Sequence, residues 1–442
     1  MIATLRKIIP QPIFKLYHWL MSVSGAFYYG YPTKRMMVVG ITGTSGKSTT
    51  VFLLHKILTH AGLKVGSSST IEFCIGAECT LNKTKMTQLG RWGTQAMLAR
   101  MRTAGCDIAI VETTSQGVEQ FRHIGIFYDA LMLTNLYPEH IEAHGSFENY
   151  KNAKKKLFAY LATLPLKKKF KIPKTIIVNG AVKEAAEFIA FPVERKWALG
   201  QSIPGSSRVL AAENSNITAS GVEFDLDLIH FSVPLLGGHV IDNAVAATAA
   251  AAALGISLDT SAEALREIRS VPGRTELIDE GQPFKIMVDF AFEPVAMSKL
   301  YELVKLIPHN RILHVLGGTG GGRDAARRPL LGNIAGDNAA LVFVTNEDPY
   351  DEDPQKIMDD VAAGVRGVGK RDGVDFFVIP DRRAAIARAV QLAEKNDIIL
   401  ITGKGCEQAI IGPERSMTPW DDRAVVREEL AKLKSTWELS AK

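Results

Sequence analysis

The sequence has few cysteines, little net charge and no long uninterrupted apolar run. Its four cysteines lack the paired spacing of zinc knuckles, so neither a disulfide framework nor a structural zinc site is predicted, and a reducing cytoplasm is expected. A formal net charge of +5, with basic residues dispersed along the chain, gives no case for a nucleic-acid partner. The basic run from Lys167 to Lys174 is typical of a solvated loop.

An apolar, aromatic stretch from Ile13 to Tyr29 lies near the start of the chain and is interrupted by Lys15, His18 and Gly25. No small-residue cleavage site follows it, so we expect a docking helix and not a signal peptide. Its length and aromatic residues suit a weak contact with a membrane surface, and they suit packing against the protein body equally well. Both alternatives stay open at this point.

The chain of 442 residues exceeds the size of one hydrophobic core, so two or three domains are expected. Apolar, β-branched runs alternate with segments of helical periodicity from Met36 onward, and a second such series begins near Gly273. This alternation predicts two α/β domains with mostly parallel sheets, joined at a Val-Pro-Gly turn that ends at Gly273. The predicted parts are an N-terminal helical extension, a central domain and a C-terminal domain, over residues 1–36, 37–272 and 273–442.

A glycine-rich loop follows the first predicted strand. Residues 40–49 read GITGTSGKST and lie between a strand and a helical segment, as a phosphate-binding loop requires. Backbone N–H groups of such a loop surround phosphate oxygens, Lys47 can reach the β- and γ-phosphates, and the Ser48 hydroxyl can bind Mg²⁺. A purely structural turn is the alternative. The predicted contacts with ATP are Gly43, Thr44, Ser45, Gly46, Lys47, Ser48 and Thr49.

This loop resembles the GxTGTxGK[ST]T signature of the Mur ligase family, and the resemblance continues through nearly all of residues 37–430. It implies an α/β fold, with a central P-loop ATPase domain and a C-terminal Rossmann-like α/β domain that binds an amino acid. It also implies an ATP-dependent ligase that forms an amide through an acyl phosphate. The strand end VETTS, residues 111–115, resembles the family's E-x-[ST]-S motif, which implies that Glu112 binds Mg²⁺ at the edge where α/β sheets bind ligands.

Two further motifs imply a second Mg²⁺ site. Residues 134–145, TNLYPEHIEAHG, resemble TNLxxDHLDxHG with glutamate replacing aspartate twice, and this implies His140 as a metal ligand and catalytic residue. A loop histidine taken alone is more often structural. Residues 150–158, YKNAKKKLF, match YxxAKxxLF, which implies that Lys154 is carbamylated and becomes an anionic oxygen ligand with a catalytic role. A solvated cationic helix face is the alternative for the three adjacent lysines.

Other motifs resemble the family's nucleotide contacts. The segment GGHVIDNAVAA resembles GxxNxxNxxAA and implies Asn243 near the adenine, with Val240 in place of the first asparagine. The segment GRTE matches GRxE, which implies that Arg274 is a catalytic residue that contacts a phosphate. The segment VDFA matches VDYAHxP, which implies that Asp289 contacts the ribose. Phe292 stands where the family has histidine. A surface salt bridge is the alternative for Arg274 alone.

The C-terminal motifs resemble the tripeptide-synthetase branch of the family. The segments TNEDPY and GKGCE occupy the positions of TSDNPR and GKGHE, and Tyr350 replaces the arginine that grips the distal carboxylate of meso-diaminopimelate. The acidic residues around it suit a cationic side chain, so L-lysine or another diamino acid is the preferred interpretation; a solvated acidic loop is the alternative. The implied substrate contacts are Thr114, Ser115, Asp348, Tyr350, Gly403 and Glu407.

The identity of the carboxylate acceptor stays open. Tripeptide synthetases have an N-terminal domain that holds the UDP of the precursor, whereas 36 residues precede Met37 here. The alternative functions are a folylpolyglutamate-type ligase, a non-catalytic ATP-binding regulator and a simple P-loop ATPase. We expect a cytoplasmic monomer that acts on small molecules.

Overall fold

A computed structural model describes residues 11–139, 144–322 and 325–440 of the chain, which form two compact α/β units. The predicted fold class is therefore confirmed. The first unit lies within Met1–Asn216, Val222–Val233 and His239–Ile268, and the second within Ile217–Gly221, Pro234–Gly238 and Arg269–Lys442.

A nine-stranded sheet forms the centre of the first unit, in the order β4-β3-β2-β5-β1-β6-β7-β8-β9. Its strands are β1 (Met37–Thr42), β2 (Val65–Ser68), β3 (Glu72–Ile75), β4 (Glu78–Leu81), β5 (Ile108–Glu112), β6 (Ala130–Leu133), β7 (Thr175–Asn179), β8 (Arg195–Leu199) and β9 (Arg208–Leu210). Pairing is parallel except at β2–β3 and β3–β4. The apolar central strands are buried on both faces, as expected of a parallel sheet covered by helices.

Helices cover this sheet, and a small three-stranded sheet follows it. The helices are α1 (Gln11–Tyr28), α2 (Lys47–His60), α3 (Arg91–Thr103), α4 (Ser115–Glu119), α5 (Phe147–Thr163), α6 (Ala185–Ile189), α7 (His239–Ala253) and α8 (Leu258–Arg266), with a 3-10 turn at Pro32–Arg35. The small sheet contains β10 (Glu213–Thr218), β11 (Gly221–Leu226) and β12 (Ile229–Val233). The alanine-rich α7 packs closely on α2, because small side chains let the two backbones approach.

Helix α1 contains most of the apolar stretch near the start of the chain and packs against α3. His18 is buried on this face and contacts the Arg91 guanidinium. The opposite face exposes apolar side chains at helical spacing, including Ile13, Leu16 and Leu20. Among the described helices, none is long and apolar enough to cross a bilayer.

The second unit has a six-stranded sheet in the order β13-β14-β18-β15-β16-β17 and a separate β19–β20 hairpin. The strands are β13 (Glu276–Ile278), β14 (Lys285–Val288), β15 (Ile312–Leu316), β16 (Leu341–Val344), β17 (Phe376–Val378), β18 (Ile398–Ile401), β19 (Ala409–Ile411) and β20 (Met417–Pro419). The helices are α9 (Pro294–Val304), α10 (Arg327–Asn338), α11 (Pro354–Gly367), α12 (Arg382–Leu392) and α13 (Asp422–Ser440), with a 3-10 turn at Pro413–Arg415. Only β13 in the large sheet is antiparallel to its neighbour.

One expectation from composition was wrong, and a second holds only in part. The structure joins Cys74 to Cys79 in a disulfide, because strands β3 and β4 place the two residues directly opposite each other. In the basic run, Lys168, Lys169 and Lys171 are exposed as expected. Lys167 is instead buried, and its amine forms an ion pair with Asp129 at 2.5 Å and donates to the Met36 carbonyl. Burial lowers the pKa of this lysine. Both features depend on contacts that sequence spacing alone does not reveal.

Candidate active site

The phosphate loop lies at the point where the order of the large sheet reverses. Strand β1 is flanked in parallel by β5 and β6, so the carboxyl ends of all three strands meet at one edge. Open α/β sheets bind their ligands at such an edge. The loop leaves β1 at Thr42 and enters α2 at Lys47, so the helix N-terminus faces the same crevice and favours an anion.

A neighbouring segment, Thr134–Asn135, holds the loop in shape. The Asn135 side-chain oxygen accepts from the N–H groups of Thr44 and Ser45 at 2.9 and 2.8 Å, and its amide donates to the Ser45 carbonyl. The Thr134 hydroxyl donates to the same carbonyl at 2.7 Å. Asn135 was part of a quoted motif but had no predicted role; its position directly after the buried strand β6 is the signal that could have identified it.

The structure brings Asn243 to the phosphate loop itself. Its side-chain oxygen accepts from the Thr50 hydroxyl at 3.3 Å. A Cβ atom placed on Gly46 would lie 2.5 Å from that oxygen, and Gly46 has a left-handed φ of 77°. Lys47 folds over the loop and donates to the Thr44 carbonyl at 2.9 Å.

Ser48 and Glu112 form a buried oxygen pair beneath the loop. The Ser48 hydroxyl donates to one Glu112 carboxylate oxygen at 3.0 Å, and the Thr70 N–H donates to the other at 2.8 Å. Both side chains are almost completely buried. A hydroxyl and a carboxylate are the hard oxygen donors that Mg²⁺ prefers, so this pair fits the predicted magnesium site.

Lys154 lies on α5 with its amine against the underside of the loop. The amine donates to the Gly43 carbonyl at 2.7 Å and lies over the Tyr150 ring, 4.6 Å from its centre. No carboxylate among the described residues forms an ion pair with it. Burial, reinforced by the charge of Lys47, holds the pKa of Lys154 well below its usual value.

The neighbouring lysines on α5 have different surroundings. Lys155 and Lys156 are more exposed and pair with Glu187 and Glu119. The helix therefore presents only Lys154 of these three lysines to the phosphate loop. Tyr150, one turn earlier, approaches the Thr44 hydroxyl at 3.0 Å and is a second contact that the sequence did not predict.

Ser115 and Thr114 begin α4 beside this cluster. The Ser115 hydroxyl lies 3.0 Å from His144 Nε2, while the Thr114 hydroxyl accepts from the Gly117 N–H and caps the helix. Burial lowers the pKa of His144. His144 belongs to a quoted motif but had no predicted role, whereas the predicted metal ligand His140 lies outside the described residues.

Arg274 and Asp289 lie near each other in the second unit. The Arg274 guanidinium stacks on the Phe290 ring, 4.2 Å from its centre, and its buried Nε has no partner among the described residues. The Asp289 carboxylate accepts from the N–H groups of Thr275 and Ala291, both at 2.7 Å. Asp289 thus fixes the backbone immediately after Arg274, a positioning role in addition to the predicted ribose contact.

The four predicted substrate residues of the second unit lie in one region of that unit. Lys404 donates to Asp348 at 2.7 Å and to Glu407 at 3.0 Å. Gly403 packs so closely on Glu347 that a Cβ atom would overlap its carboxylate. The Tyr350 N–H donates to the Ile411 carbonyl at 3.0 Å, which ties this segment to the same region.

The acidic residues near Tyr350 have partners within the second unit. Glu347 accepts from the Thr319 hydroxyl, Glu352 pairs with Arg328 at 2.6 Å, and Asp353 caps α11. Burial raises the pKa of Glu347. The structure therefore differs from a simple solvated acidic loop, and these carboxylates mainly serve internal contacts.

A phosphate loop, a buried hydroxyl–carboxylate pair and a buried lysine at one sheet edge define a P-loop nucleotide-binding domain. Residues 41–251 match the family model of the Mur ligase middle domain, and residues 273–405 match that described as Mur ligase, glutamate ligase domain. The chain is similar to the UDP-N-acetylmuramyl-tripeptide synthetase of Roseiflexus sp. (strain RS-1), with 37% identity over 92% of this chain and 81% of that protein. The chain belongs to the Mur ligase family.

A second relative supports the same assignment. The UDP-N-acetylmuramoyl-L-alanyl-D-glutamate--2,6-diaminopimelate ligase of Geobacillus kaustophilus (strain HTA426) is 34% identical over 92% of this chain and 81% of that protein. The predicted family is therefore confirmed, and the chain is an ATP-dependent acid–amino-acid ligase. The family in general uses ATP and Mg²⁺.

Solved structures show the same architecture. A ligase of the same 2,6-diaminopimelate type is 26% identical, with a TM-score of 0.59 and coverage of 90% of this chain and 79% of that one. The folylpolyglutamate synthase of Mycobacterium tuberculosis has a TM-score of 0.67 over 88% of this chain and 93% of that one, at 16% identity. The latter likeness shows the fold alone.

Proposed function

We propose that this ligase adds an amino acid to the peptide carboxylate of a UDP-MurNAc-type peptidoglycan precursor in the cytoplasm. The arrangement of the phosphate loop with the Ser48–Glu112 pair and Lys154 carries the proposal, because it combines a phosphate cradle with oxygen ligands for Mg²⁺ and a buried lysine beside them. The similarity to tripeptide synthetases supplies the substrate class. A folylpolyglutamate-type acceptor is the less favoured alternative.

The proposed reaction proceeds through an acyl phosphate. Loop N–H groups and Lys47 bind the phosphates of ATP, and Arg274 is a predicted phosphate ligand. The acceptor carboxylate attacks the γ-phosphorus and ADP leaves. The incoming neutral amine then attacks the acyl carbon, its nitrogen loses one proton, and phosphate leaves as the amide forms. Ser48 and Glu112 would hold one Mg²⁺, and His140 with Lys154 a second; such ions neutralise charge on the transferring phosphoryl group.

The surroundings of Lys154 support the proposal that it is carbamylated. Its lowered pKa favours the neutral amine, the form that attacks carbon dioxide: the N–C bond forms, one proton leaves, and an anionic carbamate results. The amine lies within 3.5 Å of the Thr42 hydroxyl, which could donate to the new anion. A carbamate carbon signal from protein incubated with ¹³C-bicarbonate, absent in Lys154→Ala, tests this step.

We propose L-lysine, or a similar diamino acid, as the added amino acid. Tyr350 in place of arginine removes the charged clamp for a distal carboxylate, which supports this preference. Glu347, Asp348 and Glu352 already form contacts within the second unit. Fewer carboxylates are therefore available to bind the side chain of the added amino acid than the sequence indicated. meso-Diaminopimelate is therefore the main competitor to include in the test.

The decisive experiment measures phosphate release from ATP and Mg²⁺ with UDP-MurNAc-dipeptide and a panel of amino acids. We expect release that requires both acceptor and L-lysine and that falls to background in Lys154→Ala. Lys156→Ala is the matched control, because this residue is on the same helix but is exposed. Release without any amino acid would support a simple ATPase, and ATP binding without turnover on any substrate would support a regulator.

We also propose that the protein is a monomer, and that the exposed face of α1 makes a weak contact with a membrane surface. Ile13, Leu16 and Leu20 form an exposed apolar stripe, Lys15 lies beside it, and the helix carries no acidic residue. Apolar area and positive charge together favour an anionic lipid surface. Sedimentation with anionic vesicles, reduced in Leu16→Glu/Leu20→Glu and in neutral vesicles, tests the contact; equal sedimentation of both proteins would contradict it.

A further inference from the structure

A group of three metal-binding side chains lies at one edge of the first unit, apart from the predicted magnesium ligands. Cys74 on β3 and Cys79 on β4 are directly opposite each other, with Cα atoms 4.1 Å apart. Side chains of directly opposite residues project to the same face of a sheet. His55, on α2, lies at this face, and one nitrogen of its ring and the two sulfur atoms all lie within 4.8 Å of one another.

The His55 ring also contains a buried nitrogen atom without a hydrogen-bond partner. Its side chain is only 4% exposed, and Nδ1 has no hydrogen-bond partner among the described residues. Leaving such a buried polar atom unpaired costs about 1–3 kcal/mol, so its presence calls for a ligand or another explanation. Burial, with a smaller contribution from Lys56, lowers the pKa of His55 to about 4, so the imidazole is neutral at pH 7. A neutral imidazole is the form that binds metal ions.

We propose that, when the disulfide is reduced, Cys74, Cys79 and His55 bind one thiophilic divalent metal ion, zinc being the best fit. Thiolate and imidazole ligands select zinc, whereas Mg²⁺ prefers oxygen. Three protein ligands leave a fourth position for water, and the exposure of Cys79 provides a path for the ion to enter.

The disulfide and metal-bound forms are mutually exclusive states of one site. A cellular dithiol of the thioredoxin class supplies two electrons: its two sulfurs become a disulfide as the Cys74–Cys79 bond breaks, and its two protons pass to the new thiols. Zinc binding then releases two protons as the thiolates coordinate the metal. In a reducing cytoplasm the dithiol form, and hence the metal site, is the expected state.

The site is connected to the phosphate loop through α2 and the β2–β3 loop. His55 follows Lys47 by eight residues on α2, which corresponds to roughly 12 Å along the helix axis. Thr70, between β2 and β3, donates to Glu112. The proposed zinc ion would therefore fasten the β3–β4 hairpin to the helix that begins at the phosphate loop, without taking part in the reaction.

The test measures metal content of the full chain. Protein reduced with a phosphine is incubated with Zn²⁺, freed of unbound metal by gel filtration and analysed by mass spectrometry for zinc. We expect about one zinc ion per chain in the reduced wild type and less than a tenth of that in the oxidised protein, Cys74→Ser, Cys79→Ser and His55→Gln. Cys106→Ser and Cys406→Ser, which change the two buried cysteines outside the disulfide, serve as matched controls and should keep their zinc.

Cobalt provides a second readout that reports the ligands directly. Reduced protein with Co²⁺ should show a thiolate-to-metal charge-transfer band that disappears in the Cys79→Ser variant, whose exposed position makes misfolding the least expected. Unchanged circular dichroism in that variant separates ligand loss from unfolding. Reduced wild-type protein without stoichiometric zinc, or zinc retained by the Cys74→Ser/Cys79→Ser variant, would overturn the proposal, irrespective of the substrate that the ligase uses.

Discussion

Replacing Gly46 by alanine should damage nucleotide binding through one identifiable contact. Gly46 has a φ of 77°, and an added Cβ atom would lie 2.5 Å from the Asn243 side-chain oxygen. The left-handed backbone costs an alanine about 1–2 kcal/mol. Moving Asn243 away sacrifices its hydrogen bond with Thr50, a further loss of about 1 kcal/mol. The combined cost is about 2–3 kcal/mol. If the variant loop regains its native conformation only when ATP binds, this cost weakens ATP binding by roughly 30- to 150-fold.

The assay is titration calorimetry with ATP and Mg²⁺, accompanied by urea unfolding to locate the cost in binding or in folding. Gly62→Ala is the matched control: its φ is 82°, but nothing lies within 4 Å of the added carbon, so only the backbone cost should appear, without loss of ATP affinity. The double variant Gly46→Ala/Asn243→Ala should lose less than the sum of the two single-variant losses, because the hydrogen bond between Asn243 and Thr50 is already lost in Gly46→Ala. If Gly46→Ala binds ATP within twofold of the wild-type affinity and its free energy of unfolding is unchanged, the reasoning is refuted.

Three further predictions address other contacts. Glu112→Gln should raise the Mg²⁺ concentration needed for half-maximal phosphate release by at least about tenfold, because one charged oxygen ligand is lost; an unchanged magnesium requirement would contradict the assignment. Asn135→Ala should weaken ATP binding by about tenfold, since two loop N–H groups lose their acceptor, and calorimetry checks this value. Burial lowers the pKa of His314 from 6.5 to about 3, so the native state stays unprotonated where the unfolded chain binds a proton, and stability is lost as the pH falls through this range. The free energy of unfolding should therefore fall by about 2 kcal/mol from pH 7 to pH 5 on account of this residue, and urea titrations of His314→Gln at both pH values should lack that part of the decrease.

The strands, the phosphate loop and the family could be predicted because each depends on local pattern. The run before Thr42 is continuously apolar, and the glycines and Lys47 follow it directly, so sequence order alone defines strand, loop and helix. The closeness of Asn243 to Gly46 could not be predicted in this way. It depends on the packing of α7 on α2, which joins residues almost two hundred positions apart.

The cationic and acidic segments were harder to interpret, because charge patterns do not identify partners. Lys167 looked like one member of a solvated basic run, yet its amine is buried in an ion pair with Asp129, the buried residue directly before β6. The acidic residues around Tyr350 indicated an open cationic pocket, while Lys404 and Arg328 already neutralise part of that charge. Composition gave the correct charges in both cases, but the tertiary structure determines which of them remain available to a ligand.

The phosphate loop is restrained from three separate segments of the first unit, through Asn135, Tyr150 and Asn243. Its conformational entropy is thus lost during folding and not when ATP arrives, which makes the loop preorganised for the phosphates. Affinity for the nucleotide then depends on residues that need not touch it. Sequence changes in α5 or α7 could tune the working ATP concentration of the enzyme while every residue of the loop stays the same.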